Sequence, residues 1–262
     1  MKRNLEQKRQ NRLRRRGEQP LYRLFPNMIT ISGMCCGLSA VRFAMLGKFE
    51  IAVAFIIAAA IIDGMDGRVA RMLGATSEFG AQLDSLSDFV CFGVCPALVI
   101  YMWQLQAVKG FGWAVVLFFS VCTALRLARF NTALFDENIK AWQKKFFTGI
   151  PSPAGGILCL LPLIISLQID GEGFRLPNFL IIIYMIIIGA LMASRIPTFA
   201  GKNIHIKHEW IPAFMLISSL LLVFFVIEPW LCLSVLGAAY ILTIPFSIRK
   251  YKQLATEDSS SH

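Results

Sequence analysis

The chain has 262 residues, of which 56% are hydrophobic and only 16% charged, a mean hydropathy of +0.61 that excludes an ordinary water-soluble domain and predicts an all-α, polytopic membrane helix bundle. Its formal net charge of +10 comes mostly from the amino end, where no stacking aromatics or nucleic-acid-binding motif accompany it, so the reading is one of no nucleic acid partner. No second composition regime marks off a soluble domain.

The first 23 residues hold nine lysines and arginines. A secretory signal would continue into a short apolar core and a small-residue cleavage site, whereas here the next apolar run is of membrane-spanning length, so the arm belongs to the mature chain. It serves either as a topology signal or as a contact for anionic lipid headgroups. Residues 24–255 form the membrane domain and 256–262 a polar tail.

Apolar runs recur at about 28–46, 50–72, 84–107, 111–134, 152–169, 177–194, 210–227 and 230–248, each near the roughly 20 residues that a bilayer demands. About eight transmembrane helices follow, with both termini on one side. If that side is cytoplasmic, eighteen lysines and arginines face the cytoplasm against three (Lys48, Lys109, Arg175) on the other face, as the positive-inside rule requires. The expectation is an integral protein of the inner or cytoplasmic membrane whose 73–83 connection is cytoplasmic. All seven cysteines lie in apolar runs and read as reduced packing residues. The last two spans have no ionisable side chain deep inside and read as structural supports.

At the end of the second run and the start of the third stand four aspartates. Asp63 and Asp66 are three apart, Asp84 and Asp88 four apart, so each pair shares one face of its helix. Facing each other across a short loop, they bring four carboxylates to one point at the cytoplasmic end, a costly arrangement without cations. Arg68 and Arg71 as ion-pair partners are one answer, but salt bridges would not explain Gly67 and Gly80, which remove bulk beside the acids. Hard carboxylate oxygens suit Mg²⁺ or Mn²⁺ shared with substrate phosphates, and two divalent ions would balance four negative charges.

The spacing Asp63-x-x-Asp66-Gly67-x-x-Ala70-Arg71, eight residues, then Gly80-x-x-x-Asp84-x-x-x-Asp88 resembles the signature of the CDP-alcohol phosphotransferases. The resemblance implies that Asp63, Asp66 and Asp84 hold metal ions, and that Asp88 completes the second site and is the catalytic general base. It further implies that CDP-diacylglycerol is bound by Gly67, by Arg71 through its pyrophosphate, by Ser77, and by Asn27 and Thr30 at the start of the first span. Helix capping is an equal reading for Asn27 and Thr30. The reaction would be displacement of CMP from phosphorus by an alcohol.

The blocks FPNMITISGMCCG (25–37), DSLSDFVCFGVCPAL (84–98), LRLARFN (125–131), GIPSPAGG (149–156) and SRIPTF (194–199) resemble the integral-membrane branch of that family that takes L-serine as acceptor. Cys91 departs from it, where that branch more often has serine. A serine pocket needs a cation for the carboxylate, and Arg126, Arg129, Asn131 and Arg195 are the candidates; the alternative for each arginine is snorkelling to headgroups. Glycerol 3-phosphate or inositol phosphate as acceptor would keep the chemistry, and a divalent-cation transporter would reuse the acids, though it needs polar groups near the midplane. His205 and His208 read as solvated loop residues. The sequence leaves room for a homodimer.

Overall fold

A computed structural model describes residues 24–133, 146–169, 176–199 and 210–260. The basic arm, the lysines at 140, 144, 145, 202 and 207, Arg175 and both loop histidines lie outside the described residues.

The described chain is almost wholly helical. α1 (Phe25–Met45) and α2 (Phe49–Met72) pack along each other; α3 (Glu78–Asp88) runs through a wide π-helical turn (Phe89–Val94) into α4 (Cys95–Trp103); a short 3-10 turn (Leu105–Val108) leads to α5 (Gly110–Ala133). β1 (Phe146–Thr148), α6 (Ser152–Cys159), α7 (Leu161–Gln168), α8 (Asn178–Ala193), β2 (Pro197–Phe199), α9 (Ile211–Ile227) and α10 (Pro229–Ser260) follow.

Four helical stretches, Phe25–Met45, Glu78–Trp103, Gly110–Ala133 and Pro229–Tyr251, are long and apolar enough to cross a membrane, and α8 and α9 are shorter apolar helices. This is an all-α integral membrane protein. Three local differences from the sequence reading have physical causes. The run at 152–169 is two eight-residue helices meeting at Leu160, because Pro162 in the first turn of α7 cannot donate to a continuing helix. The final helix extends through residue 255 to Ser260. And the blocks at 146–148 and 197–199 pair as a small antiparallel sheet, with Phe147 opposite Thr198.

α1, α4, α5 and α6 all pack against the π-helical turn. Phe92 of that turn, Phe119, Ile56, Ile100, Ile164, Ile181 and Met185 are fully buried. The outer surface is apolar: α9 has no buried residue, and Phe214, Met215, Leu216 and Leu220 face outward, as expected of side chains solvated by lipid. All seven cysteines are free.

Candidate active site

The site begins where α2 ends. Gly74 takes φ +58°, the left-handed conformation that glycine adopts without a Cβ clash just past a helix end, and the N–H of Ala75 donates to the Ala70 carbonyl at 2.9 Å. Three residues later Ser77 caps α3, its hydroxyl accepting from the Gly80 N–H at 3.0 Å. The tight return brings α3 back alongside the last turns of α2. Oxygens of Asp63, Asp66 and Asp84 then lie within 4.8 Å of one another.

α1 wedges against this hairpin. The Thr30 hydroxyl donates to Asp66 Oδ2 at 2.7 Å, with the Pro26 carbonyl at 3.1 Å as a second acceptor. Ser87 on α3 donates to the Thr30 carbonyl at 3.3 Å. Asp66 is only 5% exposed, so its orientation is fixed by this contact instead of by solvent. Gly80 permits the approach: a Cβ there would stand 3.0 Å from Asn27 Oδ1 and 3.1 Å from Ser77 Oγ.

Three carboxylates so close repel one another strongly in a low-dielectric setting. The groups that act electrostatically on them are the neighbouring aspartates, Thr30 and the Gly67 backbone; Arg68 and Arg71 are exposed on the same helix as Asp63 and Asp66. An all-oxygen donor set of this charge fits a hard divalent cation such as Mg²⁺ or Mn²⁺.

Asp88 stands beside this triad, outside the three that converge. Its carboxyl meets that of Asp63, with Asp84 and Arg126 as further electrostatic neighbours, and among the described residues its Oδ1 is buried without a hydrogen-bond partner. A buried, unpaired carboxylate oxygen is costly and rare. It is the free acceptor that a general base or a second cation position requires.

The residues expected at the nucleotide side cluster near the hairpin. Gly67 is exposed, and a Cβ there would meet nothing within 4 Å, which is room for a ligand. Arg71 is exposed, its Nε donating to the Gly67 carbonyl at 3.1 Å, so the rest of its guanidinium is free to turn outward. Ser77 is an N-cap and Thr30 a support for Asp66, local roles that spacing alone does not reveal.

The four acceptor-side candidates divide. Arg126 is 8% exposed; it does not snorkel. One of its terminal nitrogens donates to the buried Ser152 hydroxyl, its guanidinium carbon lies 6.0 Å from the Phe130 ring centroid, and Asp88 is its charged neighbour. Arg129 is exposed and donates to the Ala193 carbonyl at the end of α8, two residues before the exposed Arg195. Asn131 exchanges hydrogen bonds with Ser85 at 3.1 and 3.2 Å, tying α5 to the acid-bearing helix. Ser85, Ser87 and Ser152 were not singled out by sequence, where small hydroxyl residues in helical runs carry no distinguishing signal.

A family profile described as CDP-alcohol phosphatidyltransferase matches residues 23–194. The chain belongs to the CDP-alcohol phosphatidyltransferase family. A second family description, CDP-alcohol phosphatidyltransferase 2, covers residues 209–245. Within the family, the chain is 38% identical over 232 residues to a CDP-diacylglycerol–serine O-phosphatidyltransferase of Mycobacterium leprae (strain TN), covering 88% of this chain and 77% of that one. It is 37% identical over 232 residues to the protein of the same name from Mycobacterium tuberculosis (strain ATCC 25618 / H37Rv), covering 88% and 80%. The Helicobacter pylori (strain ATCC 700392 / 26695) protein of that name is 34% identical over 228 residues, covering 85% and 90%. The acid hairpin lies inside the family match, as do all four acceptor-side candidates except Arg195, which falls one residue beyond it.

Proposed function

We propose that the protein transfers the phosphatidyl group of CDP-diacylglycerol to the hydroxyl of L-serine, giving phosphatidylserine and CMP. The observation that carries this reading is the convergence of Asp63, Asp66 and Asp84 beside an unpartnered Asp88 oxygen. The names of the relatives supply the acceptor.

Asp63, Asp66 and Asp84, with Asp88 at a second position, would hold two Mg²⁺ or Mn²⁺ ions, which when bound supply charge stabilisation for the diphosphate and for the entering and leaving oxygens. Arg71 offers a planar, permanently charged fork to the pyrophosphate, and open Gly67 lets the nucleotide approach the backbone. The new bond joins the serine hydroxyl oxygen to the phosphatidyl phosphorus, the bond from that phosphorus to the CMP oxygen breaks, and Asp88 takes the serine hydroxyl proton. Arg126, Arg129, Asn131 and Arg195 form the acceptor side, with Asn27, Thr30 and Ser77 on the donor side. About eight spans, cytoplasmic termini and an active site facing the cytoplasm complete the reading, supported by the charge asymmetry of the sequence.

The deciding experiment is CMP release from CDP-diacylglycerol by purified protein with single acceptors offered in turn. L-Serine should support turnover. Release driven by glycerol 3-phosphate or inositol phosphate, and not by serine, would overturn the acceptor assignment while leaving the family chemistry standing.

A further inference from the structure

The final helix carries a side chain that no reading of the sequence singled out. We infer that Tyr240 completes the acceptor site, its hydroxyl donating with Arg126 to the carboxylate of the acceptor amino acid.

This rests on the serine reading above. α10 packs along β2, which sets Tyr240 beside Thr198 and Arg126. Thr198 has already directed its hydroxyl to the Gly149 carbonyl at 2.7 Å. The buried Tyr240 hydroxyl faces the Thr198 hydroxyl but, among the described residues, makes no well-formed hydrogen bond. The same lack of a partner holds for Nε of Arg126, whose terminal nitrogen is taken by Ser152, and for Oδ1 of Asp88. Arg126 has Asp88 and Tyr240 as its two electrostatic neighbours. So two unpartnered oxygens neighbour one guanidinium that itself keeps an unpartnered Nε.

Their chemistry is complementary to one class of small molecule. The guanidinium N–H and the phenol O–H are donors, a pair suited to a carboxylate. The Asp88 oxygen is an acceptor, suited to an alcohol proton. A hydroxy amino acid presents a carboxylate and an alcohol a few bonds apart. An acceptor bearing a phosphate dianion matches less well, because Arg126 is the one cation among these three groups. A phenylalanine would fill the same volume; the phenol oxygen, unpaired, is unfavourable. Tyr240 is a specificity-determining residue in this view, and the last helix is more than a support.

Tyr240→Phe removes one oxygen and keeps the ring. Initial rates of CMP release, measured in detergent micelles with each substrate varied, should show the KM for L-serine raised about tenfold or more, the effect of losing one hydrogen bond to a charged group. The KM for CDP-diacylglycerol should stay at the wild-type value, which also reports an intact fold. The preference for L-serine over serinol, which has a hydroxymethyl in place of the carboxylate, should shrink by the same factor. A wild-type serine KM and unchanged preference in the variant would overturn the inference alone, as would equal rises in both KM values. Wild-type protein that releases CMP only with acceptors lacking a carboxylate would sink the serine reading and this inference together.

Discussion

Thr30 on α1 donates its hydroxyl to Oδ2 of Asp66 on α2 at 2.7 Å, linking the first helix to the acid cluster across 36 residues of sequence. Such a partner orients a carboxylate ligand and fixes which oxygen it presents; losing one typically costs 10–100-fold in metal affinity or activity. Thr30→Val, which keeps the shape and removes the donor, should therefore raise the half-saturating Mn²⁺ or Mg²⁺ concentration by about tenfold or more, with Thr30→Ser close to wild type. Metal titrations of CMP release check this. An unchanged metal requirement in the valine variant would show that Asp66 needs no such support.

Asp88→Asn preserves size and removes the basic oxygen. Turnover should fall by roughly 10²–10⁴-fold, the usual contribution of a positioned general base, while CDP-diacylglycerol still binds. The comparison is single-turnover CMP release against equilibrium binding of a radiolabelled donor. Lost binding with residual chemistry intact would refute the base assignment.

Removal of divalent ions should silence the enzyme, and Mg²⁺ or Mn²⁺ should restore it. Because an ion that binds only the folded state stabilises it by mass action, about 2.7 kcal/mol at a hundredfold excess over Kd, EDTA should also lower the melting temperature. In Asp84→Asn the melting temperature should respond much less to added Mn²⁺. A melting curve indifferent to EDTA in the wild type would count against a resident ion among Asp63, Asp66 and Asp84.

Arg129 holds the Ala193 carbonyl at the end of α8, two residues before Arg195 in the chain. Arg195 is exposed there. Arg195→Ala should raise the serine KM by several-fold, in line with loss of one charged contact, and leave the donor KM alone. Arg129→Ala should in addition lower thermal stability, since it frees a helix-end carbonyl. Equal effects of Arg195→Ala on both KM values would assign that residue to the shared substrate.

Gly149 joins β1 to the start of α6 with φ +78°, and a Cβ there would stand 2.5 Å from the Met192 carbonyl oxygen. Gly149→Ala should destabilise by about 1–2 kcal/mol from the backbone alone, and more from the clash. A melting temperature equal to wild type would show that the turn has another conformation available.

The acid hairpin was legible because its information is local: spacings of three and four map directly onto a helix face. What tertiary contact decides was hidden. Thr30 and Asp66 are far apart in sequence, and nothing about a threonine in the second turn of an apolar helix announces its partner. Arg126 was noticed for its cost, but its burial against Ser152 depends on how α5 and α6 meet. Tyr240 sits on a helix apolar on nearly every side, where periodicity gives no preferred face, so its inward direction could not be read. The break at Leu160 was hidden by uniform hydropathy, although Pro162 signals it in hindsight. The pairing of residues 146–148 with 197–199 joins segments some fifty positions apart, beyond any local pattern.

The wide turn at Phe89–Val94 immediately follows Asp88. Each extra residue accommodated in a turn swings everything beyond it by roughly 100° about the axis. The rod that carries Asp84 and Asp88 at its wet end can thus aim them at one set of neighbours while its dry end, from Cys95 onward, seats against another. One continuous crossing of the bilayer serves two independent bearings, and removing a single residue from the turn would leave the chain helical yet point its acids at the wrong wall.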